Sequence, residues 1–429
     1  MSNSKPTSLS IHVYNVGFGD CFLLSFHYSN DPKDDCNMMI DFGTKAAPAN
    51  IKPAALYDRI AADIQSVTGG KLNAVVLSHR HQDHIEGFGR PVAGKIIRDL
   101  KPDIVVQPWT EDPKAKTNAP GPKSSGDNHL AFTERLANMQ LLSEGIAKEA
   151  RHLLDTDPHP GPQRALFAAL EFIGEEGIKN PSAVKNLMEM GDEHAYVYAG
   201  AKSGLEKFFP GVKVTVLGPP TIAQHEEVKT ERSRDADEFW MLQGLTGRHL
   251  ISEARDLFPK AEKKDLKATP EYARWIIPRL RRLRAENLLQ IVRIMDDALN
   301  NTSVILLFEV NDTTLLFPGD AQIENWEYTL SKTDLMKRLA NVNVYKVGHH
   351  GSRNATPRSL WNAFLNKGPA GPKRLRTIVS TKADKYGSLT EHSEVPRRTL
   401  VTALKANSDY FSTQTIKGKQ IKKVIEVDF

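Results

Sequence analysis

Short apolar runs separated by turn residues dominate the first 110 positions, and the runs at 11–16, 22–26, 38–40, 74–77 and 104–106 predict strands. Between the third and the fourth, Leu56, Ile60 and Ile64 recur at four-residue spacing until Gly69 and Gly70, which predicts a helix that stops at the glycines. Strand, helix, strand order implies an α/β class. Apolar runs return at 195–198 and 212–217, followed by Gly218-Pro219-Pro220, which must leave the sheet because proline has no N–H for a ladder. Residues 304–310 and 314–317 predict an antiparallel pair around Asn311-Asp312, with further strands at 342–347, 377–380 and 421–427.

Two stretches interrupt this pattern. Within 111–190, residues 112–128 are rich in Pro, Lys, Gly and Ser and read as a surface loop, 130–154 reads as helix, and 156–162 is a breaker cluster. Within 221–299, positions such as Trp275, Ile276, Leu280, Leu283 and Leu288 recur at helical spacing, and Arg274, Arg279, Arg281, Arg282 and Arg284 lie between them. Arginines so placed are ordinarily the solvated face of a helix, and Pro278 should start or kink one. No sequence period repeats. The expected organisation is one α/β domain over 1–429, carrying a loop and helical insertion at 111–190 and a helical insertion at 221–299.

Composition narrows the class. With 40% apolar residues, 25% charged residues and a mean hydropathy of -0.41, the chain has the make-up of a soluble globular protein. A net charge of +5 permits an anionic partner without requiring one. Cys21 and Cys36 are too few for a disulfide scaffold and suit a reducing compartment. Residues 1–10 lack the apolar centre of a secretory signal, and no stretch approaches the roughly 18 consecutive apolar residues of a membrane span. The expectation is a cytoplasmic enzyme or binding protein with no membrane partner.

The chemistry is concentrated at strand ends. Directly after 74–77 comes Ser78-His79-Arg80-His81-Gln82-Asp83-His84, three imidazoles and a carboxylate in a composition suited to a metal site. His79 and His81 alternate along an extended segment and should project to one side, while Asp83 and His84 lie in the turn beyond and can face a second ion. Nitrogen ligands with carboxylates suit zinc first, then manganese or iron. Two more strand ends carry acids, Asp41 in Met39-Ile40-Asp41-Phe42-Gly43 and Asp320 in Leu316-Phe317-Pro318-Gly319-Asp320. A fourth, Val347-Gly348-His349-His350-Gly351-Ser352, ends in two imidazoles; neighbours in an extended chain point opposite ways, so one of the pair is expected to be a ligand.

His79-x-His81-x-Asp83-His84 followed by Ile85-Glu86-Gly87 closely resembles the signature of metallo-β-lactamase-fold hydrolases. The resemblance implies a four-layer αββα sandwich holding two divalent ions, with His79 and His81 on the first and Asp83, His84 and His350 on the second. It makes Asp320 the bridging carboxylate, puts Asp41 behind a ligand to orient it, and leaves His349 as proton donor or phosphate contact. Asp83, His349 and Asp320 would be the catalytic residues. Asn15-Val16-Gly17-Phe18-Gly19-Asp20-Cys21, Asn301-Thr302-Ser303 and Gly348-His349-His350-Gly351-Ser352 together resemble the hydrolase domain of ComEC-type competence proteins and their stand-alone relatives. Two departures stand out: the chain has no membrane segment, and no neat motif supplies the third metal-binding histidine common in the family. His129, His194 and His225 are candidates by order, each reading more readily as an ordinary surface or structural histidine, and His392 falls where relatives often carry a histidine near the mouth.

These implications set the functional expectation: a metal-dependent hydrolase using a dinuclear centre and a bridging hydroxide, acting on phosphodiesters such as DNA or RNA. The alternatives are hydrolysis of a small ester, lactone, thioester or phosphocholine-type substrate by the same centre, and a non-catalytic metal-bound scaffold.

Overall fold

The computed structural model describes residues 5–112, 151, 180–221, 223–225, 299–352, 356–371, 373–383, 385–386 and 394–429. Apart from residues 151 and 299, the helical readings at 130–154 and 236–299, along with His129 and His392, lie outside the described residues. The chain divides into two compact units, one comprising Met1–Gly126, Asn180–Val228 and Asn300–Phe429, the other Asp127–Lys179 and Lys229–Leu299. The sheets and the candidate site belong to the first.

That unit is mixed α/β, with two mixed sheets and helices in an arrangement compatible with an α/β sandwich. In the first sheet β1 (Ser8–Tyr14), β2 (Cys21–His27), β3 (Cys36–Phe42), β4 (Ala74–Val76), β5 (Ile104–Pro108) and β6 (Glu193–Val197) lie side by side in chain order. The last strand of the chain, β13 (Lys422–Asp428), pairs antiparallel with β1 at the outer edge. β1 to β3 pair antiparallel and β3 to β6 parallel. The second sheet is built from β7 (Lys213–Gly218), β8 (Ile305–Val310), β9 (Thr313–Phe317), β10 (Val344–Lys346), β11 (Arg376–Val379) and β12 (Asp409–Ser412). Here β7 to β9 pair antiparallel and β9 to β12 parallel.

Alternation along each strand explains the layering. Leu9, Ile11 and Val13 of β1 enter a core shared with residues of the other sheet such as Leu306, Phe308 and Phe317, whereas Tyr14 enters a second core with Leu56, Ile60 and Ile64. Those three lie on α1 (Pro53–Val67), which packs with α3 (Ala93–Asp99), while α2 (Gln82–Ile85) is a single turn after β4. α4 (Pro181–Glu189) adds Ala183 and Leu187 to the same core. On the second sheet Leu307, Leu316 and Tyr345 join Trp326, Leu339, Leu360 and Leu404. These come from α5 (Ile323–Leu330), α6 (Thr333–Leu339), α7 (Arg358–Ala363) and α8 (Arg398–Asn407).

The expected strands all occur, with shifted ends. The run at 195–198 begins earlier, at Glu193, because an edge strand tolerates exposed polar residues, and the turn at Asn311 takes a left-handed φ of 49°. β7 stops at Gly218 ahead of the two prolines. β12 has no counterpart in the apolar pattern, since only its last residue is buried. No helix among the described residues is long and apolar enough to cross a membrane. Parallel strands deliver their carboxyl ends to a common edge, and Asp41, Ser78, Asp320, His350 and Ser380 all stand at or just beyond such ends.

His12, on β1, is 7% exposed and its Nδ1 has no hydrogen-bond partner. Burial, aided by the Lys422 ammonium, drives its imidazole from 6.5 down to about 4. The folded imidazole thus titrates below the unfolded one, and the stability tied to its neutral form is whole above 6.5 and lost as pH falls toward 4. His12→Leu should therefore lose less stability than the parent between pH 7 and pH 5, measured as urea midpoints at each pH; equal losses contradict this assignment.

Candidate metal centre

Asp41 organises the strand ends. It takes a left-handed φ of 58°, rare for a residue with a Cβ, at the end of β3. Its Oδ1 accepts the Ser78 N–H at 2.7 Å, and its Oδ2 accepts the Ser78 hydroxyl at 2.7 Å and pairs with His84 Nδ1 at 2.8 Å. One buried carboxylate thereby joins β3, the second residue after β4, and α2. Burial raises the carboxyl above its ordinary range, opposed by the His84 imidazole.

The short helix α2 is set by His81, which is extended at ψ 147° and accepts the N–H groups of His84 at 2.9 Å and Ile85 at 3.0 Å. Gly43 lies directly against this turn. A Cβ there would come 2.2 Å from the Asp83 carbonyl carbon and 2.3 Å from the His84 nitrogen, so any side chain displaces the residues that carry Asp83 and His84.

Asp83, His84, Asp320 and His350 are buried, and one ligand atom from each lies within 4.8 Å of all the others. His84 Nε2 is 3.0 Å from Asp320 Oδ2, and His350 Nε2 is 3.0 Å from Asp83 Oδ2 and 3.3 Å from Asp320 Oδ2. The opposite ring nitrogens are engaged elsewhere. His350 Nδ1 donates to the Ser380 carbonyl at 3.0 Å, and His84 Nδ1 faces Asp41, so both imidazoles are turned with Nε2 inward. This is the way metal-ligating histidines are commonly held.

Burial and neighbouring charge oppose one another at these four groups. Burial works against charge on His84, yet Asp320 and Asp41 hold it well above its usual value; burial likewise opposes charge on His350, and Asp320 with Asp83 carries it up to about 9. Burial would raise Asp83, but the Lys45 ammonium and His350 hold it well below the usual carboxylate range. Burial would raise Asp320 as well, and His84 and His350 hold it low. Two carboxylates and two imidazoles converging through Oδ and Nε2 form a nitrogen and oxygen donor set that a divalent cation fits by displacing the imidazole protons.

The residues expected from the sequence fall into three groups. Asp83, His84, Asp320 and His350 converge, with Asp41 behind His84. His79 and His81 stand beside them: His79 Nε2 is 2.9 Å from His81 Nδ1, and the His79 ring centroid is 4.2 Å from that of His84. The two alternate residues therefore do project to one side. His349 and His350 do not lie in an extended chain as expected, because both take left-handed φ values, 43° and 53°, within a tight turn. The backbone reverses there so that the His349 N–H can donate to Asp320 Oδ1 at 3.0 Å. His350 joins the cluster, and His349 Nδ1 is buried without a hydrogen-bond partner. Neither described candidate for a further ligand joins: His194 is exposed on the edge strand β6, stacked near Tyr196, and His225 Nε2 faces Glu327 at 3.5 Å.

Three groups at the centre were not expected from the sequence. Lys45 Nζ lies 3.4 Å from Asp83 Oδ1, and Lys346 is buried against Asp20 and Asp320. Asp20 stands within the Gly-Phe-Gly-Asp run, and a lysine closing an otherwise apolar strand was the available signal for Lys346.

Zinc at about 100 times its dissociation constant should stabilise the chain by about 2.7 kcal/mol. This is read as a raised thermal midpoint that Asp320→Ala abolishes; an equal rise in that variant places the ion elsewhere. Gly43→Ala, which removes no ligand, should weaken zinc binding at least about tenfold in calorimetric titration by displacing Asp83 and His84, and unchanged affinity would show that the turn yields without cost. No family model matches the chain, and no curated protein matches it significantly, so the residues at this edge carry the functional argument.

Proposed function

We propose that the chain is a metal-dependent hydrolase of the metallo-β-lactamase type that cleaves phosphodiesters. The observation that carries this reading is the buried convergence of Asp83, His84, Asp320 and His350 with the His79 and His81 pair beside it. A four-layer αββα sandwich is consistent with two sheets sharing one core and each facing helices on its other side. In this reading His79 and His81 would hold one ion and Asp83, His84 and His350 the other, with Asp320 serving both. Zinc is the first choice for this donor set, with manganese or iron next. When bound, such ions supply Lewis acidity and make water nucleophilic at neutral pH.

The protein's own groups would do the rest. Asp41 fixes the His84 ring through Nδ1, so that its Nε2 is held in one direction. Lys45 is a partly exposed ammonium beside Asp83, suited to an anionic oxygen of the substrate. His349, whose backbone N–H donates to Asp320 Oδ1, offers a buried, unpartnered Nδ1 for a phosphate oxygen or for the departing group. A cation at this point favours an anionic diester, nucleic acid included, over a neutral ester or lactone.

The test is hydrolysis of bis-p-nitrophenyl phosphate, of labelled single- and double-stranded DNA and of p-nitrophenyl acetate with added zinc or manganese. The expected result is cleavage of the phosphodiesters, lost in the double variant His79→Ala, Asp320→Ala. Lys45→Met should lower kcat/KM for the anionic diester by about 10- to 100-fold, restored in part by Lys45→Arg, with little effect on any acetate hydrolysis. Acetate turnover without diester cleavage would move the substrate to carbon esters. Bound metal with no turnover of either would favour the scaffold.

A further inference from the structure

Lys346 is the last residue of β10, and the alternation of that strand turns it to the same side as Val344, into the space between the sheets. It is 1% exposed, as is Asp20. A buried ammonium is tolerated only where acceptors surround it, and this one has three: the Gly319 carbonyl at 3.0 Å, Asp320 Oδ1 at 3.3 Å and, in a short ion pair, Asp20 Oδ2. Asp20 is itself anchored through its backbone, its N–H donating to the Asp83 carbonyl at 2.9 Å and its carbonyl accepting the Gly43 N–H at 3.0 Å.

The two oxygens of Asp320 are consequently unequal. Oδ1 receives Lys346 Nζ and the His349 N–H, whereas Oδ2 faces the Nε2 atoms of His84 and His350. We propose that Asp20 and Lys346 are a positioning pair that keeps Asp320 a one-oxygen metal ligand, so that Oδ2 is available to be shared instead of both oxygens closing on a single ion. The proposal rests on the metal-binding reading above. Chelation by both oxygens would have to displace Lys346 and the His349 N–H, leaving the buried ammonium with Asp20 and the Gly319 carbonyl alone and the His349 N–H without its carboxylate. Asp20 supplies the counter-charge that holds the ammonium in place when an ion draws on Asp320. Its oxygens also lie 3.7 Å from His350 Nδ1 and 3.8 Å from His84 Nδ1. They add negative charge behind both imidazoles while Ser380 and Asp41 take the hydrogen bonds.

A crystal structure of the zinc-loaded parent protein is the direct test. The expected result is Asp320 bound through Oδ2 with Oδ1 still on Lys346; Asp320 bound through both oxygens with Lys346 withdrawn overturns the proposal. In solution, Lys346→Met should weaken the second ion by about 10- to 100-fold, alter the visible absorption of the cobalt-loaded protein, and lower kcat more than it raises KM. Asp20→Asn, Lys346→Met removes both charges and separates positioning from simple stability. It should recover the thermal midpoint lost in the single variant without recovering second-ion affinity or the cobalt spectrum, and recovery of all three overturns the proposal. If Lys346→Met does not fold, the parent crystal structure and the double variant decide. A parent protein that takes up no ion defeats the metal-binding reading itself, an outcome distinct from an ion bound with Asp320 chelating.

Discussion

The buried Asp41 carboxylate accepts hydrogen bonds from the Ser78 backbone and hydroxyl and pairs with His84, two residues that lie 37 and 43 positions further along the chain. Losing one partner would leave a charge buried and unmatched, which typically costs about 3 to 5 kcal/mol. The strained φ of Asp41 is held against that background, since breaking these hydrogen bonds would cost more than the roughly 1 to 3 kcal/mol of a left-handed non-glycine residue. The centre depends on this clamp because it fixes the direction of His84 before any ion is present.

Charge balance extends outward from the clamp. Asp20, Asp41, Asp83 and Asp320 bring four carboxylates into a buried region, and Lys45, Lys346 and the imidazoles of His84 and His350 answer them. In a low-dielectric interior such a network is strongly coupled, so its members act together. The two lysines play different parts: Lys346 is sealed beneath the centre, whereas Lys45 reaches it from a partly exposed position. That difference separates a sealed counter-charge from an ammonium that solvent can reach.

The sheets explain why these groups meet at all. Parallel strands end together, and the turns that follow β3, β4, β9 and β10 can be irregular because both sheets are already secured by cores on their two faces. Gly43 and Gly319 leave no room for a side chain, the first against α2 and the second, at φ +57°, against the Ser78 side chain. Left-handed backbone at Asp41, His349 and His350 concentrates strain in the same place, as functional edges commonly do.

Much of this was legible along the chain. Short apolar runs located the strands because a strand facing two cores must bury both sides, and the spacing of His79, His81, Asp83 and His84 pointed to a metal site because four such residues rarely crowd so closely otherwise. Asp41, Asp320 and His350 could be assigned by their positions at strand ends and by resemblance. The amphipathic period of 3.6 or 2.0 says which way a residue faces, yet it does not say which residue of another segment it meets. His84 finds Asp320 236 residues away, and His350 finds Asp83 267 residues away. The reversal at His349, the pairing of Lys346 with Asp20 and the approach of Lys45 to Asp83 follow from strand order and from the need to match each buried charge. The sequence by itself determined the strands and the candidate metal-binding residues; only the tertiary structure decided the partners, because matching of charge in a dry interior is a property of neighbours in space.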